Sequence, residues 1–139
     1  MIREYVDTGR VNILFRHFPF IGDESWRAAE ASECAAEQER FHEYEETVFV
    51  NWNGENEGGY SDENLRIFAE MTGLSMDQFD DCMSTNKYLP KVQADRDAAI
   101  DAGVNSTPTF FLNGVNIGGL RDYGYYRVRI EEALNEVGG

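Results

Sequence analysis

The first strong run of apolar positions is Val11 to Phe18, VNILFRHF, broken only by Asn12, Arg16 and His17 and bounded by Asp7-Thr8-Gly9 and Pro19. β-Branched and aromatic residues in a run of this length predict a strand buried on at least one face. Before it, Ile2 to Val6 reads as the last turn of a helix, with Gly9 just past its end. From Asp23 the spacing becomes helical: Trp26, Ala29, Cys34, Phe41, Tyr44, Val48 and Phe49 recur at intervals of three, four and seven. Asp23 or Ser25 can cap the start, with Asp23 and Glu24 at the positive end of the helix dipole. The pattern continues to about Asn51, longer than an ordinary helix, so a break is expected near Glu39.

A polar loop, Asn53 to Gly59, comes next. Ser61 then caps a helix through Met71 with Leu65, Phe68 and Ala69 on one face, ending at Gly73. Ser75-Met76-Asp77-Gln78 has the form of a capping box and starts a short helix to about Ser84. Pro90 suits the first turn of another helix, which runs to Ala102 and stops at Gly103. Thr109 to Leu112 predicts a short strand, Asn113-Gly114 a two-residue hairpin turn, and Val115 to Ile117 the return strand. Arg121 to Val137 predicts a last helix with Tyr126, Ile130, Ala133, Leu134 and Val137 inward, and Gly138-Gly139 forms a loose end. The order is strand, four or five helices, hairpin, helix, within a length (139 residues) that suits one domain.

Composition narrows the functions open to such a chain. With 42% hydrophobic and 13% aromatic residues it can bury a core, which excludes a disordered or low-complexity class. Its formal charge is −14, and Lys87 and Lys91 are the only lysines. Nucleic acid and anionic membrane surfaces would be repelled, so neither is expected as a partner. An acid-rich, lysine-poor surface also suits concentrated salt, where screening over roughly 3 Å at 1 M removes self-repulsion. No stretch approaches the roughly 18 consecutive apolar residues of a membrane span, and Met1 to Arg10 holds no apolar core of a signal peptide.

The chemistry-bearing residues are few. His17 and His42 have no second ligand at metal-binding spacing, so no metal and no cofactor is expected. Glu43, Glu45 and Glu46 read as a solvated helix face rather than an acid and base pair. Cys34 lies in helical register with Glu30, Glu33 and Glu37, and Cys82 follows Asp80 and Asp81. Negative neighbours disfavour a thiolate, which leaves either one structural disulfide between Cys34 and Cys82 or two free, unreactive thiols. The sharpest motif is Gly103 to Gly114, GVNSTPTFFLNG. A proline at the entrance of an aromatic strand removes a ladder donor, and a cis bond at Thr107-Pro108 would give it a place there.

GVNSTPTFFLNG resembles the cis-proline loop and hairpin of the DsbA-like class of thioredoxin-fold proteins. YVDTGRVNILFRHFPF, starting at Tyr5, resembles the second strand of that class and its approach. SWRAAEASECAAEQERFHEYEETVF, SDENLRIFAEMTGL and FDDCMSTNKYLPKVQADRDAAIDAGV are similar to its helical insertion. The resemblance implies an α/β, thioredoxin-like fold, incomplete, in one domain over residues 1–139 with the insertion at about 23–102. It implies that Thr107 and Pro108 receive extended polypeptide substrates, and that Cys34 and Cys82 fall where some members carry a second, structural disulfide. It implies thiol-disulfide oxidoreductase chemistry on protein disulfides and an extracytoplasmic location, for which the chain itself holds no signal.

Members of the class open with a strand and a CxxC at the N-terminus of the first helix, and nothing in this sequence matches either. Residues 1 to 6 correspond only to the end of that helix. The chain is therefore expected to be an incomplete gene product, or a domain whose first element is supplied elsewhere, inactive by itself for want of catalytic residues. A non-catalytic peptide-binding module and a nonfunctional fragment are the alternatives. With the central strand missing, a strand-donating or homo-oligomeric partner is also expected.

Overall fold

The computed structural model describes residues 2–138; Met1, placed by the resemblance inside a helix, and Gly139, part of the expected loose end, lie outside them. The chain folds as two compact units, residues 16–99, and residues 1–15 together with 100–139.

The first unit is helical: α1 (Asp23–Ala36), α2 (Phe41–Val50), α3 (Asp62–Thr72), α4 (Met76–Ser84) and α5 (Leu89–Asp101). The long apolar pattern does break at Glu39, which takes a φ of 60°. There the Arg40 N–H donates back to the Ala35 carbonyl (2.9 Å), reversing the chain into α2. Neither Asp23 nor Ser25 caps α1. Gly22 holds that position, and Ser25 N–H donates to its carbonyl (3.2 Å). Glu24 instead turns to the polar loop, its carboxylate accepting the N–H groups of Gly58 (2.6 Å) and Tyr60 (2.9 Å). Ser61 caps α3, its hydroxyl accepting from Asn64 N–H (3.3 Å).

The capping box at Ser75 does not form, because its backbone has another partner. The Gln38 side chain accepts the Ser75 N–H (2.7 Å) and donates to the Ser75 carbonyl (3.2 Å). Ala31, Cys34 and Ala35 of α1, Tyr44 and Val48 of α2, Leu65, Phe68 and Ala69 of α3, and Phe79, Cys82 and Met83 of α4 form the core. Small residues on α1 let three helices approach it, and the Tyr44 hydroxyl is satisfied by the Leu65 carbonyl (2.9 Å). Phe49, one of the residues in that helical spacing, is 67% exposed. Tyr44 and Val48 already face the core, and the next residue points about 100° further round the helix. A disulfide joins Cys34 to Cys82 within this core, with 5.9 Å between the Cα atoms.

The second unit holds a π-helical turn (Ile2–Val6), a hairpin of β1 (Phe110–Leu112) and β2 (Val115–Gly118), and α6 (Tyr123–Gly138). Asn113 and Gly114 both take positive φ, 49° and 83°, as the tight turn between twisted antiparallel strands requires. The ladder pairs Leu112 with Val115, Phe111 with Asn116 and Phe110 with Gly118, with an irregularity between Phe110 and Phe111. α6 begins two residues later than expected because Asp122 accepts the Tyr125 N–H (3.0 Å) as its cap. Tyr126 and Ile130 are buried, Ala133 and Leu134 half-buried, and Val137, expected inward, is 80% exposed where the last turn outruns its packing. Tyr5 is buried, and its hydroxyl donates to Glu131 (2.7 Å), which also pairs with Arg10 (3.2 Å).

Val11 to Phe18 forms no strand. A strand exists through its ladder, and the only ladder among the described residues is β1 with β2. Val11 N–H goes to the Tyr5 carbonyl (3.0 Å) and His17 N–H to the Asp95 carboxylate (3.2 Å), so neither donor serves a sheet. Ile13 and Leu14 are left 51% and 72% exposed.

Candidate functional site

Thr107 and Pro108 lie on the surface between the end of α5 and β1, joined by a cis peptide bond. Their loop is held from both sides. Thr109 Oγ1 donates to the Ser106 carbonyl (2.7 Å). The Pro108 carbonyl approaches the Cα of Gly119 so closely that a Cβ there would stand 3.0 Å from it. Tyr126 then fixes the far side, its hydroxyl donating to the Gly119 carbonyl (2.7 Å) and accepting from Arg121 N–H (2.9 Å), while its ring meets Phe110 edge-on at 5.0 Å. No Asp, Glu, Lys or Arg occurs from Val104 to Leu120. The loop thus presents main chain and uncharged side chains.

Cys34 and Cys82 are buried in the helical unit and bonded to each other, so neither sulfur is a thiol. An attacking thiolate needs exposure and a positive environment, and this pair has neither. The bond closes a long loop and ties α1 to α4.

A cluster that the sequence reading missed lies in the helical unit around His17. Its ring Nε2 is 2.7 Å from Glu33, and Lys91 reaches Glu33 (2.8 Å) and Asp95 (3.4 Å). Asp95, its side chain 3% exposed, also pairs with Arg16 (3.1 Å) and accepts the His17 N–H. Burial lowers the His17 imidazole below its ordinary value, outweighing the neighbouring Glu33. Burial alone would raise the Asp95 carboxyl. The His17 N–H, Arg16 and Lys91 outweigh it and hold that carboxyl below its usual value. The cluster is an anchor: it fastens residues 16 and 17 to α1 and α5 by charge where no ladder exists. Lys91 and Asp95, four apart on one helix, were the available signal.

Comparison with known proteins bears on this arrangement. The family model described as thioredoxin matches residues 1–132. This chain belongs to the thioredoxin family. Among solved structures, the thioredoxin-family chain is similar to oxidised BdbD from Bacillus subtilis, with a TM-score of 0.84 at 23% identity over 96% of this chain and 74% of that one. It is similar to alpha-DsbA1 of Wolbachia pipientis, with a TM-score of 0.78 at 26% identity over 97% and 74%. The fold is thus that of DsbA-like members of the family. A probable disulfide bond formation protein D of Bacillus anthracis is 27% identical over 115 residues, 80% of this chain and 53% of that protein. A Na(+)/H(+) antiporter, NhaA 3 of Salinispora tropica, is 31% identical over 132 residues, 94% of this chain and 18% of the antiporter. The thioredoxin-family chain therefore spans about half of one of these relatives and under a fifth of the other. No helix among its described residues is long and apolar enough to cross a membrane.

Proposed function

We propose that this chain is the polypeptide-facing part of a DsbA-like thiol-disulfide oxidoreductase that acts on protein disulfides outside the cytoplasm, and that alone it performs no dithiol exchange. One observation carries the reading: the exposed, uncharged Thr107–Pro108 loop leads straight into β1, while the only two cysteines are tied to each other away from solvent. Thr107 and Pro108 would align the backbone of an extended substrate beside the β1 edge. The attacking sulfur would come from a CxxC that this sequence does not contain.

Two measurements test it. Insulin reduction in dithiothreitol should equal the protein-free rate; a faster rate that disappears in Cys34→Ser or Cys82→Ser overturns the reading. In an NMR titration with an extended apolar peptide, the amides of Thr107, Thr109 and Phe111 should shift. Thr107→Arg should weaken binding about tenfold, equivalent to about 1.4 kcal/mol. The bonded state of Cys34 and Cys82 also favours a second reading, a peptide-binding module without redox chemistry. Binding that persists after full reduction and in both serine variants would select it.

We also propose that the acidic surface is an adaptation to salt. Screening should relieve the repulsion of a chain at −14, so its melting temperature should rise by several degrees between about 0.05 and 2 M KCl. An unchanged melting temperature would remove the proposal.

A further inference from the structure

An open cavity of about 590 Å³ lies in the helical unit, between the N-terminal half of α1, the start of α3 and the α4–α5 connection. Asp23, Glu30 and Asp62 line it against one cation, Arg27, so its wall is two charges negative. Trp26, Met83 and Leu89 add apolar surface. Asp23, Arg27 and Glu30 stand together there because they are four and three residues apart on one helix.

Arg27 has no N–H left for a ligand. A guanidinium carries five such donors. Nε and Nη2 hold the Asp62 carboxylate (2.8 and 3.0 Å), and Nη1 donates to Glu30 Oε2 (2.8 Å) and Asn86 Oδ1 (2.9 Å). Nη2 also reaches the Met83 carbonyl (3.4 Å). An anion would therefore meet carboxylates and no spare guanidinium donor.

Glu30 is in the opposite condition. Its side chain is 4% exposed. Oε1 has no hydrogen-bond partner, alone among the buried side-chain oxygens and nitrogens of the described residues. A buried carboxylate oxygen without a donor is costly, so this atom calls for a donor from outside the chain. The negative wall favours one that carries positive charge. A metal ion does not fit, because the described residues group no three His, Cys, Asp or Glu side chains as ligands. A guanidinium does not fit well either, since the fork-to-fork place at Asp62 is already taken by Arg27.

We propose that this cavity binds a primary alkylammonium group, its N–H donors meeting Glu30 Oε1 and the Asp23 carboxylate and its stem lying on Trp26 and Leu89. Oε1 is closed off from solvent, and the soft terminal torsion of the Glu30 side chain lets it turn into reach while Oε2 stays with Arg27. A free amine and the lysine side chain of a polypeptide both carry this chemistry.

Trp26 reports on the site. The chain holds two tryptophans, so a Trp52→Phe background leaves Trp26 as the one indole. At neutral pH and constant chloride, n-butylammonium should change its fluorescence saturably, with a dissociation constant on the order of 1 mM. Tetramethylammonium, which has the charge without N–H, and butanol, which has the stem without the charge, should each bind at least tenfold more weakly. Glu30→Gln should raise the butylammonium constant at least tenfold. Asp23→Asn, which leaves every Arg27 bond in place, should raise it severalfold with the parent's circular dichroism spectrum. Lysine blocked at both its α-amino and carboxyl groups separates the sources: binding as tight as butylammonium assigns the site to polypeptide lysine, and tenfold weaker binding assigns it to a free amine. The absence of a saturable change overturns the proposal. So does a response to tetramethylammonium equal to that of butylammonium, or a constant unchanged by Asp23→Asn.

Discussion

Replacing Cys34 and Cys82 with serine, or reducing the bond between them, should lower the stability of the chain by several kcal/mol. The cysteines are 48 apart. In the chain-entropy view, releasing a loop of that size from the unfolded state costs about 4 kcal/mol. For a chain of this length, that lowers the melting temperature by about 14 °C. The packing argument points the same way, because both sulfurs sit in the core between α1 and α4, and two serine hydroxyls would lie there among Tyr44, Leu65 and Phe79. Calorimetry of the oxidised chain, the reduced chain and the double serine variant separates the contributions. Reduction measures the cross-link, and the further loss in the variant measures the buried hydroxyls. A melting temperature unchanged by reduction would show that the bond does no structural work.

The second large effect is expected at Asp95. Its carboxylate is buried, yet it serves the His17 N–H, Arg16 and Lys91 together. Asp95→Ala leaves the His17 N–H without its acceptor and removes the partner of two cations. Breaking a buried pair costs 3–5 kcal/mol, and because Arg16 and Lys91 both reach water the lower end, about 3 kcal/mol, applies. Urea denaturation at pH 7 should show it as a lower midpoint at unchanged slope. The acid limb of stability should change too. The folded Asp95 carboxyl ionises more readily than the unfolded one, so its contribution is complete above pH about 4 and is lost as pH falls through the lower folded value. Asp95→Asn should flatten that limb. His17 adds a slope at higher pH: its imidazole is protonated more easily in the unfolded chain, so stability starts to decline below pH about 6.5. An Asp95→Ala chain as stable as the parent at pH 7 would show that residues 16 and 17 are held by packing alone.

Elements written in local pattern were legible in the amino-acid sequence. The helical spacing, the Ser61 cap, the turn at Asn113-Gly114 and the reversal at Glu39 are decided by residues within a few positions of one another, and the structure has all of them. What depended on distant residues was not legible. Val11 to Phe18 has the composition of a strand, but a strand needs a neighbour, and composition does not supply one. Ser75 carries a capping-box motif, and Gln38 from another reversal takes its backbone first. The loop at Thr107 and Pro108 was conspicuous because proline, aromatic strand and Asn-Gly turn stand side by side. The charged cluster was not, because Arg16, His17, Glu33, Lys91 and Asp95 are scattered over three segments and only burial brings them together.

Gln38 has a bearing on how the helical unit opens. By holding both the N–H and the C=O of Ser75, its amide behaves as a one-residue bridge between the α1–α2 reversal and the α3–α4 turn, 37 residues apart in sequence. Neither reversal can fray without releasing the other. Hydrogen exchange at the Ser75 amide should therefore report the opening of a distant corner, and the two corners should exchange as one cooperative unit rather than as two independent surface turns.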